Sequence, residues 1–301
     1  MTKYKYTVLS LYKFFEIKNI FNFKNKICKV FKGIAVKGIV LVAPEGININ
    51  ISLSTNNLEQ VLGELKKIFP FKNQETKVLN YDKHIFRKFK VKIKKEILTT
   101  RNLKQTNPMK VVGEYIKPED WESFINQPNT ILIDMRNDYE IKIGTFKNAL
   151  NPKCKDFTEL LKWLKNDLIK KESLKNKKIA MFCTGGIRCE KATSFLINNG
   201  KKDVYHLKGG ILKFLEKNNK KEIWNGECFV FDNRVSLKND LSLGSYTLCH
   251  ACRMPLSIQD KSRKEYIEGE ACHFCYLNKT NVQKKKYRMR NNQYILQKKS
   301  V

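Results

Sequence analysis

Along the first hundred residues the spacing of apolar positions changes period several times. Tyr6 to Leu11 reads as a strand, and Val36 to Val42 as another, interrupted by Gly38. Ala43-Pro44-Glu45-Gly46 is a turn signal. Beyond it Ile47, Ile49, Ile51 and Leu53 alternate with polar residues, as on a half-buried strand. Leu58, Val61, Leu62, Leu65 and Ile68 recur at helical spacing in a segment ending at Phe69. Phe89, Val91, Ile93 and Ile97 return to alternation between Phe86 and Ile97. With a first helix placed between Phe14 and Phe31, the order is strand, helix, two strands, helix, strand. This predicts a ferredoxin-like (acylphosphatase-like) α+β domain over residues 1–108. Lys90, Lys92 and Lys94 line one solvent face of its last strand, either simply solvated or in contact with phosphate.

Leu103 to Met109, with Asn107-Pro108, reads as a linker, and a unit of a different kind follows over residues 109–223. Pro118, Glu119 and Asp120 suit a first helical turn. Thr130–Ile133, Ile179–Phe182 and Val204–Leu207 are short buried-type strands. Leu160–Ile169, Glu190–Asn198 and a segment from Ile211 have helical spacing. Strands alternating with helices predict a parallel sheet, which binds ligands beyond the C-terminal ends of its strands. From about Trp224 the pattern breaks down. Residues 224–301 hold two cysteine pairs, few apolar runs and a basic stretch, Lys284 to Arg290.

The chemistry concentrates at the end of one strand. Cys183 closes the run Ile179–Phe182 and opens the loop Cys183-Thr184-Gly185-Gly186-Ile187-Arg188, which leads into a helix. Loop N–H groups, a helix N-terminus and the Arg188 cation all favour negative charge there. Cys183 is therefore the candidate nucleophile, with Arg188 as its electrostatic support. Cys189 is either a small packed residue or a thiol able to resolve an oxidised Cys183. Cys28, Cys154 and Cys228 show no partner pattern and are expected to be buried thiols.

Cys249-x-x-Cys252 and Cys272-x-x-Cys275 are two knuckles nineteen residues apart, a spacing that predicts a structural zinc site of four thiolates. His250 and His273 lie inside the knuckles and are read as non-ligands. A small unit with so few apolar residues needs such a metal to fold.

The net charge of +30 comes from fifty Lys and nine Arg spread along the chain, a field that attracts polyanions such as RNA. AT-rich codon usage produces the same Lys, Asn, Ile and Phe excess without selection for binding, so charge alone names no partner. The basic stretch from Lys284, with Tyr287, Arg288 and Arg290, is either a solvated tail or a grip on RNA. An odd cysteine count without an export signal, and no apolar run near twenty residues, predict a cytoplasmic protein with no membrane partner.

The Cys183–Arg188 loop resembles that of a rhodanese domain, as do Asp134-x-Arg136 after the preceding strand and Gly209-Gly210 after the later one. In that family the cysteine works as a thiolate or carries a persulfide. The related dual-specificity phosphatases have one more residue between Cys and Arg, so the loop argues against a phosphatase. Further blocks narrow the resemblance: Val42–Asn48, Ile133–Glu140 with Ile143–Phe146, Cys183–Lys191, and Cys228-Phe229-Val230-Phe231-Asp232 with Arg234-Val235. Together they are similar to the rhodanese-domain tRNA uridine(34) hydroxylases over nearly the whole chain. Met135 and Pro44 depart from the usual pattern, and Pro44 removes a basic residue that would contact phosphate.

The resemblance implies an α/β enzyme with three parts: a ferredoxin-like domain, a central rhodanese-like parallel sheet and a four-cysteine zinc-knuckle region. It implies an oxidoreductase that converts the wobble uridine of tRNA to 5-hydroxyuridine. Its substrate would be the tRNA anticodon region and its co-substrate molecular oxygen, with an electron donor outside the chain. Asp134 and Arg136 are expected to brace the loop as an ion pair. No nucleotide, flavin or haem motif is present, so no organic cofactor is expected. The alternatives are a rhodanese-type sulfurtransferase acting on thiosulfate or a persulfide carrier, and a non-enzymatic RNA-binding or adaptor protein with a vestigial rhodanese fold, against which the intact Cys183 and Arg188 weigh.

Overall fold

In the computed structural model, residues 4–171, 176–217 and 222–299 are described. The first unit runs β1 (Tyr6–Phe14), α1 (Ile20–Val30), β2 (Val36–Ala43), β3 (Gly46–Ser54), α2 (Leu58–Ile68), β4 (Lys77–Tyr81) and β5 (Phe89–Ile93). Its sheet has the order β4-β1-β3-β2-β5. The β2–β3 hairpin turns at Pro44-Glu45. Ile47, Ile49, Ile51 and Leu53 on β3 are fully buried, as their alternation predicts, and pack with Phe23 and Ile27 of α1 and with Val61, Leu62 and Leu65 of α2.

The last ferredoxin strand is not the segment the pattern indicates. β4, antiparallel to β1, closes the four-strand core, whereas Phe89–Ile93 is a fifth strand added in parallel to β2. Lys77–Tyr81 has one half-buried face on a sheet edge, so its sequence, KVLNY, carries little apolar signal. Lys90, Lys92 and Lys94 are exposed as expected.

The second unit comprises β6 (Glu114–Ile116), α3 (Trp121–Ile125), β7 (Thr130–Asp134), α4 (Asp138–Ile141), β8 (Gly144–Phe146), α5 (Phe157–Trp163), β9 (Lys178–Phe182), α6 (Ile187–Asn198), β10 (Val204–Leu207) and α7 (Gly210–Lys217). Its sheet is parallel, in the order β6-β10-β9-β7. Helices cover both faces. Leu160, Leu161 and Leu164 lie with Phe195 and Leu196 on one side, and Trp121 with Ile211 and Phe214 on the other. The linker packs on α6, where the Gln105 carbonyl accepts from Asn198 at 3.0 Å.

Beyond this, β11 (Trp224–Gly226) pairs with β8. The hairpin β12 (Cys228–Phe229) and β13 (Ser236–Leu237) follows, then β14 (Thr247–Leu248), β15 (Pro255–Leu256), α8 (Ile258–Lys261) and α9 (Asn281–Lys299). The basic stretch from Lys284 thus lies in the first half of a nineteen-residue helix, where Arg288 pairs with Glu270 and Arg290 donates to the His250 carbonyl. No helix is long and apolar enough to cross a membrane among the described residues.

The first two units are joined by buried charge. The Lys191 ammonium of α6 is fully enclosed and donates to Glu45 of the β2–β3 turn (2.7 Å), to Glu96 after β5 (2.9 Å) and to the Leu98 carbonyl (2.9 Å). Glu45 also accepts from the Ile97 N–H at 2.8 Å. A buried ammonium held by two carboxylates and a carbonyl leaves none of its donors unused.

Candidate active site

β9 carries Cys183 out at the C-terminal end of the parallel sheet, where the chain must turn at once into α6. Gly186 makes that turn possible. Its φ is +102°, and a Cβ there would lie 2.6 Å from the Tyr12 hydroxyl. The loop is clamped from behind by the first turn of α7, whose Ile211 and Leu212 N–H groups donate to the Cys183 and Thr184 carbonyls at 3.0 and 3.2 Å. Gly210, at φ +69°, allows this approach, since a Cβ would come within 2.4 Å of the Cys183 carbonyl. The Gly209-Gly210 pair is therefore a loop anchor.

The sulfur sits in a nest of donors. The Gly186 N–H donates to Sγ at 3.1 Å. Burial by itself pushes the thiol up. The Cys189 thiol, the Arg188 charge and the N–H groups of Cys189 and Gly186 outweigh it and bring Cys183 down to about 5. Cys189 moves the opposite way, pushed well above the usual thiol range by burial and by the neighbouring thiolate. The two thiols divide into one anion and one proton donor.

Arg188 reaches the sulfur by charge rather than by its own hydrogen bonds. Its guanidinium forms a two-pronged pair with the fully buried Glu140 of α4, at 2.6 and 2.8 Å, and a long contact of 3.4 Å to Thr184 Oγ1. Glu140 is the partner that sequence reasoning missed, although it lies in the quoted Ile133–Glu140 block. Asp134 and Arg136 pair as expected, at 2.6 Å and fully buried. Arg136 also donates to the Gly144 carbonyl at 2.5 Å and Thr145 to Asp134 at 2.8 Å, which locks β7 to β8 beneath the loop. Met135 fills the core here, at no exposure.

Two side chains of the first unit roof the loop, a contribution no linear motif announces. Lys77 of β4 donates to the Gly185 carbonyl at 2.8 Å. Burial depresses its ammonium to about 8, against the opposing pull of the Cys183 and Glu190 charges. Tyr12 of β1 donates to Glu190 of α6 at 2.7 Å, and its ring lies 5.5 Å from the Lys77 ammonium. Burial raises the Glu190 carboxyl against the lowering effect of hydroxyl donors from Tyr12 and Tyr115. Under this roof Cys183 has no exposed surface, although Thr184 and Gly185 beside it are partly open. The sulfur is ionised but covered, so access to it requires the loop or the side chains packed on it to move.

The remaining cysteines separate cleanly. Cys154 and Cys228 are buried and pushed up, to about 11 and about 12, chiefly by desolvation. Cys28 departs from expectation. It lies exposed on the outer face of α1, because the apolar stripe of that helix runs through Phe23 and Ile27 instead.

Cys249, Cys252, Cys272 and Cys275 converge, with all four sulfurs within 4.8 Å of one another. The Cys249–Cys275, Cys252–Cys272 and Cys272–Cys275 separations are 4.0, 3.6 and 3.9 Å. A tetrahedron of sulfurs about 2.3 Å from a central ion has edges of roughly 3.8 Å, so the cage has the right size to hold a metal ion. His250 and His273 stand outside it. His250 rests beside Tyr294, and His273 lies 3.7 Å from Asp260.

Residues 6–97 match the family model described as a UPF0176 acylphosphatase-like domain, and residues 117–217 match the rhodanese-like domain. A protein of Prochlorococcus marinus (strain MIT 9515) named tRNA uridine(34) hydroxylase is 44% identical over 297 residues. The alignment covers 97% of this chain and 96% of the relative. Its namesake in strain MIT 9215 is 45% identical over 295 residues, covering 96% and 94%. At that identity and coverage, with the Cys183 loop, its glycine anchors and the cysteine cage all in place, the chain belongs to the tRNA uridine(34) hydroxylase family.

Proposed function

We propose that the protein hydroxylates C5 of the wobble uridine in the anticodon region of tRNA, in the cytoplasm, with Cys183 as the nucleophile. The observation that carries this is a covered thiolate at about 5, held by the loop N–H groups and the Arg188–Glu140 pair, in a chain of this family.

C5 of uracil is a weak nucleophile. Attack by the Cys183 sulfur, as thiolate or persulfide, on C6 forms an S–C6 bond and moves an electron pair into the C4–C5 enolate. C5 then takes one atom of molecular oxygen. The other atom leaves as water, with two electrons from a donor outside the chain. Loss of the C5 proton expels the sulfur and restores the ring. A thiolate already ionised at neutral pH starts this sequence without a separate base, and it is a good leaving group at the end. In the cysteine cage we assign zinc, bound by Cys249, Cys252, Cys272 and Cys275. With four thiolates and no open position, it would hold the C-terminal region together rather than take part in the reaction.

The test is nucleoside mass spectrometry of tRNA incubated with the purified protein, oxygen and a reductant. Wild type is expected to produce 5-hydroxyuridine. Cys183→Ser is expected to produce none while keeping its fold; product from that variant would rule out the assigned nucleophile. Thiosulfate:cyanide sulfurtransfer at enzymatic rates, with tRNA left unmodified, would favour the other rhodanese chemistry.

A further inference from the structure

The block Cys228–Asp232 with Arg234-Val235 takes no part in the chemistry above, and the structure explains all of it but one residue. Cys228, Phe229, Val230 and Val235 are buried. Val230 N–H donates to the Val235 carbonyl at 2.9 Å and closes the hairpin. Asp232 and Arg234 form a nearly buried pair at 2.6 Å, which fixes the tip. The Asn233 N–H donates to the Ile85 carbonyl at 3.0 Å and ties the tip to the first unit. Phe231 is left at the tip, 63% exposed.

A single exposed phenylalanine is ordinary on a protein surface. This one is distinguished by where it is held. The hairpin turns its ring toward the reactive loop, with the Arg188 guanidinium 5.8 Å from the ring centre. Phe229 packs edge-on against it at 5.0 Å and limits its rotamers. Arg188 in turn borders Thr184, next to Cys183. An aromatic face at the rim of the site, pre-set at little entropic cost and backed by a cation, matches what stacks an unpaired nucleobase.

We propose that Phe231 is the stacking platform for a base of the substrate RNA, holding the anticodon loop against the Cys183 site. The inference rests on the tRNA reading above. It assigns the C-terminal hairpin a direct part in substrate binding and makes the site a product of all three regions of the chain: Lys77 and Tyr12, Cys183 and Arg188, and Phe231.

Stacking of a base on an aromatic ring accounts for roughly 5- to 150-fold in affinity. Phe231→Ala, Phe231→Leu and Phe231→Trp are compared with wild type for 5-hydroxyuridine formation across tRNA concentrations, with iodoacetamide alkylation of Cys183 measured in parallel. Phe231→Ala and Phe231→Leu are expected to raise KM for tRNA within that range. Phe231→Trp should restore it, and alkylation should keep its pH profile in all three, since no sulfur contact changes. Unchanged kcat/KM in Phe231→Ala overturns the proposal. So does full rescue by leucine, which would reduce the ring to an apolar cover, or tight binding of an apolar peptide in place of RNA. Absence of 5-hydroxyuridine from the wild type would instead overturn the hydroxylase reading; the loss of tRNA affinity in Phe231→Ala, measured by filter binding without turnover, would still decide the platform.

Discussion

The division of labour between Cys183 and Cys189 yields a measurable shift. Cys183 falls from the ordinary thiol value of 9.0 to about 5 although it has no exposed surface. That difference corresponds to about 5 kcal/mol favouring thiolate over thiol inside the fold. First among the groups that lower it is the Cys189 thiol. A hydrogen bond to a charged acceptor contributes about 1.5–3 kcal/mol, and a thiol donor sits at or below the bottom of that range. Cys189→Ala should therefore move the titration of Cys183 up by about one pH unit, to roughly 6. Cys189→Ser, which keeps a donor, should stay near wild type. The assay is the pH dependence of iodoacetamide modification, with Cys183 identified by peptide mass. Because the folded-state value is depressed, the accompanying stability is fully present above the unfolded thiol value of 9.0 and is lost as pH falls through about 5. Modification of wild type with a midpoint near 9, or an alanine variant indistinguishable from wild type, would refute the reasoning.

Lys191→Met strands two buried carboxylates at the junction of the first two units and is expected to cost about 3–5 kcal/mol in urea unfolding. Adding Glu45→Gln and Glu96→Gln should recover most of that loss, and a single variant as stable as wild type would contradict the assignment. A strong chelator, or Cys272→Ser, should release metal detectable by a colorimetric zinc dye and melt the C-terminal region. The Cys183 profile should survive either treatment, and a protein purified without metal and equally well folded would remove the cage from the account.

The reactive loop was legible because its chemistry is local. Cys183, the glycines and Arg188 lie within six consecutive residues, and the strand and helix around them carry ordinary apolar periods. The two cysteine knuckles were legible for the same reason. What escaped detection is what chain crossing brings together. Nothing near Tyr12 or Lys77 marks them as covering a loop more than a hundred residues away, and Glu140 shows no sign in sequence of being the anchor of Arg188. β4 was hidden because an edge strand with one half-buried face has little hydrophobic contrast. Cys28 runs against the general burial of cysteine because the apolar stripe of α1, through Phe23 and Ile27, turns away from it.

The roof over Cys183 bears on survival in an oxidising moment. A sulfur that is anionic at neutral pH attacks the O–O bond of peroxide, and each uncontrolled encounter moves it toward sulfinic acid, from which there is ordinarily no return. By resting the Tyr12 hydroxyl on Glu190 and the Lys77 ammonium on the Gly185 carbonyl, the first unit makes entry depend on displacing those contacts. A macromolecule that grips a broad surface can meet that cost outright, whereas a small oxidant or alkylating reagent must wait for those contacts to open and reacts more slowly than with a bare thiolate. Reactivity and longevity, usually opposed in a single thiolate, are reconciled by lending the nucleophile a shutter from a neighbouring domain.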